Sequence, residues 1–87
     1  MSRVIALETL QKYADKFEND FDLDLDGDFL KINHAKGQFL LNYHPTLGQL
    51  WLASPLTGAH HFRYENIWLC TRTGKALAEI LEKDLYA

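Results

Sequence analysis

The apolar period of this chain changes once, near Asn19, from the 3.6 of a helix to the 2 of a strand. Before that point Val4, Leu7, Leu10, Tyr13, Ala14 and Phe17 recur at helical spacing, with Glu8, Gln11, Lys12, Asp15 and Glu18 on the other side. The first element is therefore an amphipathic helix. After it, Phe21, Leu23 and Leu25 alternate with Asp20, Asp22, Asp24 and Asp26, so a strand here turns apolar side chains to a core and carboxylates to water. Asp26-Gly27 tolerates positive φ and favours a tight hairpin. With those two residues as the loop, Leu23 lies opposite Leu30, Phe21 opposite Ile32 and Asp22 opposite Lys31. A second turn at Lys36-Gly37 sets Ile32 opposite Leu41 and Leu30 opposite Tyr43. Both registers keep one face of three strands apolar.

Residues 45–48 break the chain before a fourth strand, Gln49–Ser54, which points Leu50 and Leu52 inward and Gln49, Trp51 and Ala53 outward. Trp51 is thus expected to be unusually exposed. A loop over residues 54–58 precedes short strands at 60–64 and 67–71, with Trp68 and Cys70 in the core. Thr73 is placed to cap a closing helix whose stripe is Leu77, Ile80, Leu81 and Leu85. The expected fold is α+β: two terminal helices packed on one face of a roughly six-stranded antiparallel sheet, on the side of Leu23, Leu30, Leu41 and Leu52. A single domain over residues 1–87 is expected, burying about 60 to 65% of its unfolded surface.

An apolar content of 47% excludes a disordered polyelectrolyte, and a formal net charge of -3 argues against a nucleic-acid surface. Basic proteins or metal ions are better partners. Cys70 is the only cysteine, which excludes an internal disulfide and a multi-thiolate metal site and fits a reducing compartment. No apolar run approaches the ~18 residues of a membrane span, no signal-peptide core is seen, and Glu8 and Asp15 disfavour an organellar targeting peptide. A soluble protein of a bacterial cytoplasm is expected, with a mitochondrial or reduced mitochondrial matrix as the alternative.

The aspartate row is the strongest chemical signal. Same-face side chains on a strand stand roughly 6 to 7 Å apart, close enough for their fields to add, so the row attracts cations. Its opening imitates a calcium loop, but Asn33 stands where the closing glutamate belongs and the strand pattern continues through Ile32. Without convergent histidines, such carboxylates make a shallow site for hard ions. The bland alternative is a solvated face that keeps an edge strand from pairing. His60 and His61 point to opposite faces and do not share an ion. His34 is placed in a turn and His44 on the open face, both in surface roles without metal. Nothing near Cys70 in sequence lowers its pKa, so packing is its expected role. Trp51, beside Asn42, Gln49 and His61, has the character of an interface hot spot, the alternative being cover by its neighbours.

The runs Phe21-Asp-Leu-Asp-Leu-Asp-Gly-Asp-Phe-Leu, Leu41-Asn42 and Gln49-Leu-Trp-Leu-Ala-Ser-Pro-Leu-Thr-Gly-Ala-His-His-Phe resemble the frataxins, including their bacterial CyaY-like members. Trp51 to Gly58 is the most specific part. The resemblance implies a sandwich of two helices on an antiparallel sheet and a role in iron-sulfur cluster assembly. It also implies weak binding of Fe2+ or Fe3+ along an acidic ridge, and docking on a complex of cysteine desulfurase and scaffold protein. Carried over by position, the ridge comprises Asp15, Glu18, Asp20 and Asp22, extended by Asp24, with Glu8 adding to it. The partner-facing residues are Asn42, His44, Gln49, Trp51, His61 and Arg63. His61 stands where animal members place arginine, and Lys12 and Lys16 dilute the ridge. The first helix is short, and the chain ends soon after Leu85, which implies lower stability. No catalytic constellation is visible; the enzymatic alternative is a ferroxidase acting at the ridge. A monomer is expected, with iron-induced oligomers as a further possibility.

Overall fold

The computed structural model describes residues 2–87. Its elements are α1 (Ser2–Phe17), β1 (Asp22–Asp26), β2 (Phe29–His34), β3 (Gly37–His44), β4 (Gln49–Ser54), β5 (Gly58–Glu65), β6 (Ile67–Cys70) and α2 (Leu77–Leu85). The six strands pair antiparallel in chain order, a meander that needs only short turns. Both helices bury their apolar stripes on one face of the sheet, as the periodicity requires. Leu30, Ile32, Phe39, Leu41, Leu50, Leu52 and Phe62 from the strands meet Leu10 and Phe17 of α1 and Leu77 and Leu81 of α2 there. Each such burial contributes about 1.5–3 kcal/mol. Trp68 and Cys70 join this core, and the Trp68 indole Nε1 donates to Thr9 Oγ1 at 2.9 Å.

The buried stripe of α1 is Ala6, Leu10, Tyr13, Ala14 and Phe17 rather than one beginning at Val4, which is 60% exposed. Val4 lies two residues before Ala6, about 200° around the helix. Both hairpins also close differently from expectation. Asp26 pairs with Phe29, so the first loop is Gly27-Asp28. Leu23 therefore faces Ile32, Leu25 faces Leu30 and Lys31 faces Asp24 rather than Asp22. Gly27 is the loop residue with positive φ (+57), which puts glycine in the first loop position. Asp28 then pairs with Arg3 at 3.1 Å. His34 pairs with Gly37, so the second loop is Ala35-Lys36, and Ile32 and Leu30 face Phe39 and Leu41. Each register differs by two residues, which changes partners but not faces. At Gly37 (φ +137) an added Cβ would come within 2.8 Å of Pro55 Cβ, so the second hairpin packs directly on the loop after β4.

Thr73 does not cap α2. Thr73 lies in the turn after β6, α2 begins only after the extended Ala76, which bridges Leu69, and Thr73 Oγ1 instead accepts the Lys75 N–H at 3.3 Å. His34 closes β2 on the core side rather than sitting in a turn. Its Nδ1 accepts the Lys36 N–H at 3.0 Å, so Nε2 carries the proton and donates to the Leu85 carbonyl at 2.9 Å. Its ring stacks on Phe21 at 5.8 Å. A histidine thus fastens the end of α2 to the sheet.

Candidate docking and cation-binding surface

The alternation that buries one side of the sheet leaves the other uncovered. There the strand register lines up Asp26, Phe29, Asn42, Trp51 and His61 in one row across β1 to β5. Trp51 is half-buried, contrary to the expected exposure, because an imidazole covers each face of its indole. His44 stacks on one side at 4.0 Å and 18°, and His61 on the other at 3.9 Å and 11°. Gln49 Oε1 accepts the indole N–H at 2.9 Å. The ring is fixed in orientation and offers its edge rather than a free face. His44 Nδ1 is buried and, among the described residues, has no hydrogen-bond partner, so stacking holds it. Arg63, on the same face two residues from His61, is ion-paired with Glu65. Asn42 is half-buried between Phe29 and Trp51, and His61 is exposed.

The carboxylates lie toward the β1 edge, about 14 Å from Trp51 at three strand spacings. Asp22 and Asp24 are exposed on β1, with Asp24 opposite Lys31 and Asp22 opposite Asn33. Asp20 falls in the turn before β1, not on the strand. Its Oδ2 accepts the Tyr86 hydroxyl at 2.8 Å, and that bond is the chief cause that holds the phenol pKa above its ordinary value. Asp15 accepts Gln11 Nε2 at 2.9 Å, and Glu18 is exposed after α1 ends. Glu8 lines a groove of about 390 Å³ with Lys12, residues of the β5–β6 hairpin and the start of α2. Lys16 is drawn to Glu82 of α2 at 2.9 Å, which offsets the charge that would dilute the ridge. Among the described residues no three His, Cys, Asp or Glu side chains converge enough to hold a metal ion. Solvated carboxylates so spread suit a loosely held hard cation rather than a closed coordination shell.

A second polar cluster escaped the pattern. Asp84 of α2 is 4% exposed, and its Oδ2 accepts the hydroxyls of Ser54 (2.7 Å) and Thr57 (2.6 Å). Ser54 Oγ in turn accepts the N–H groups of Leu56 and Thr57, while His60 Nε2 lies 2.7 Å from Thr57 Oγ1. Serine, threonine, histidine and aspartate are thus assembled where no such arrangement was expected. The hydrogen balance shows a clamp rather than a nucleophile. Thr57 has one proton and gives it to Asp84, so His60 Nε2 donates to Thr57 and does not act as its base. Burial pushes the His60 imidazole below its ordinary pKa, Asp84 partly offsets this, and Arg72 and His61 add to it. This network explains why the run from Trp51 to Gly58 carries serine at position 54. Asp84 was invisible because it interrupts an otherwise apolar stripe and its partners are 30 and 27 residues away. Cys70 is buried as expected, but the expected reason fails. Burial raises its thiol pKa, yet the Thr73 hydroxyl, the Arg72 and Thr73 amides and the Arg72 charge together bring it below the ordinary value.

Residues 4–87 match the family model described as the frataxin-like domain. The chain is 34% identical over 80 residues to the iron-sulfur cluster assembly protein CyaY of Stutzerimonas stutzeri, covering 87% of this chain and 72% of that protein. It is 26% identical over 81 residues to the CyaY of Vibrio atlanticus, covering 92% and 78%. Among solved structures, frataxin from Psychromonas ingrahamii superposes with a TM-score of 0.88 at 28% identity, over 98% of this chain and 85% of that one. Trimeric frataxin from Saccharomyces cerevisiae, complexed with ferrous iron, gives 0.68 at 30% identity, over 93% and 79%.

Proposed function

The chain belongs to the frataxin-like family, and from that premise we propose that it serves iron-sulfur cluster assembly as a binding protein rather than an enzyme. In this reading the open sheet face docks on the complex of cysteine desulfurase and scaffold protein. The acidic edge meets either a basic patch of that complex or Fe2+, which is cargo and not a resident cofactor. The observation that carries the reading is the His44–Trp51–His61 stack, a preorganised aromatic anchor about 14 Å from the β1 carboxylates. Both fit under one partner, since a standard interface covers about 800 Å² per side. The names of the two CyaY relatives support the pathway, and the ferrous complex of the yeast protein supports iron as the cation. Both relatives are bacterial, which favours a bacterial cytoplasm.

Iron binding is expected to be micromolar or weaker, because Asp15, Glu18, Asp20, Asp22 and Asp24 are dispersed and wet. Paramagnetic broadening by Fe2+ or Mn2+ should begin at Asp15 to Asp24; broadening centred on His60 and His61 would contradict this site. Docking is tested by equilibrium binding to the cognate complex. Trp51→Ala should weaken it while leaving the fold intact, and unchanged affinity would sink the assignment of Trp51.

A further inference from the structure

The sheet has two edges, β1 and β6, and the chain closes only one of them. Outside β6 the following segment returns to pair: the Cys70 N–H donates to the Lys75 carbonyl at 2.8 Å, and Ala76 bridges Leu69. Outside β1 there is no such return. Asp26 and Phe29 flank a two-residue loop and so form a hydrogen-bonded pair, as Asp24 with Lys31 and Asp22 with Asn33 do by alternation; these aspartates direct their backbone groups to β2. The N–H and C=O groups of Leu23 and Leu25 therefore point away from the sheet, and among the described residues no turn or loop backbone pairs with them. Such groups are a template for a further strand. Around them, Asp22, Asp24 and Asp26 are exposed on the open face, while Leu23 and Leu25 are half-buried on the helix side.

We propose that the β1 edge takes an extended segment of a partner protein as a further antiparallel strand, with basic side chains opposite Asp22, Asp24 and Asp26 and apolar ones opposite Leu23 and Leu25. The inference deepens, and rests on, the reading that the acidic edge meets a basic partner. β2 already shows the chemistry that fits: Lys31 stands opposite Asp24, with Leu30 opposite Leu25 and Ile32 opposite Leu23. Charge on an edge ordinarily guards it against pairing, and here it selects the partner. A second copy pairing β1 to β1 would set one aspartate row against another, and like charges directly opposite destabilise a strand pair. A basic strand instead adds charge attraction to the backbone bonds that Leu23 and Leu25 leave open, and its apolar side chains extend the helix-side face of the sheet.

The probe is a capped synthetic heptapeptide of alternating lysine and valine, compared at low salt with a peptide of the same composition in which all the lysines precede the valines. Both carry the same charge, and only the first presents lysines to one face and valines to the other. The alternating peptide should bind about tenfold more tightly and, at saturation, slow hydrogen exchange of the Leu23 and Leu25 amides by about the same factor. Leu25→Pro, which deletes an outward N–H and no ladder bond, should remove that advantage. Methylating the valine nitrogens of the peptide should remove it too, and that arm uses the unaltered chain, so the result does not depend on how well Leu25→Pro folds. Asp24→Lys should weaken both peptides, and unchanged binding there overturns the proposal. Equal binding of the two peptides without protection of Leu23 and Leu25 overturns strand addition while the basic-partner reading stands. Binding of neither peptide overturns the reading and the strand addition together.

Discussion

On the helix-covered side of the sheet Asp84 is 4% exposed and its Oδ2 accepts two hydroxyls, whereas on the open side Asp22, Asp24 and Asp26 stand in water with only Lys31 opposite one of them. The aromatic residues differ likewise. Trp68 is 5% exposed in the core with its N–H bonded to Thr9, and Trp51 is half-buried with a histidine on either face. Polar groups on the covered side are satisfied by the chain itself, as burial demands. Those on the open side are ordered but keep edges and charges for something else. Stability and recognition should therefore be separable by substitution.

The largest effect is expected on the covered side. Asp84→Ala removes the acceptor of Ser54 and Thr57 and should cost about 3 kcal/mol in urea unfolding, while the folded fraction docks normally. A loss under about 0.5 kcal/mol would mean that the clamp is dispensable. Next, Trp51→Ala should cost about 2 kcal/mol of docking free energy, roughly 30-fold in Kd, with the unfolding midpoint almost unmoved. Loss of stability and docking together would erase the distinction between the faces. Single changes of Asp22 or Asp24 to Asn should weaken docking by only a few tenths of a kcal/mol each, and by less at high salt, as for exposed charges. The smallest effect is the pH dependence of His60. Its folded pKa is lowered, so as pH falls through about 6.5 the unfolded chain takes the proton first and stability declines, levelling off below the folded value. His60→Asn should flatten that slope in melting curves between pH 8 and 5.

The order of elements, the strand faces and the placement of Trp68 and Cys70 were all legible, because period 2 and period 3.6 are local signals and parity survives a register error of two. The turn positions were not. Asp26-Gly27 and Lys36-Gly37 name the neighbourhood of each hairpin, but which two residues form the loop depends on the φ of one glycine and on contacts such as Arg3 with Asp28. Exposure of Trp51 was misjudged for a similar reason: alternation gives its face but not the two imidazoles that cover it. The acidic residues could be counted from the chain, yet it took tertiary geometry to place Glu8 in the groove by β6, tie Lys16 to Glu82 and seat Tyr86 on Asp20. Asp84 and Thr57 were missed altogether, since nothing local pairs residues so far apart.

The division between an anchoring stack and a charged edge is tested most directly by desulfurase turnover with the cognate scaffold, with and without Fe2+. The unaltered chain, Trp51→Ala and the Asp20, Asp22, Asp24 triple change to Asn should be compared. The unaltered chain should change the rate. Trp51→Ala should lose that effect under both conditions, whereas the triple variant should keep a weakened effect that no longer responds to Fe2+. Full activity of Trp51→Ala, or an unaltered Fe2+ response in the triple variant, would contradict the account.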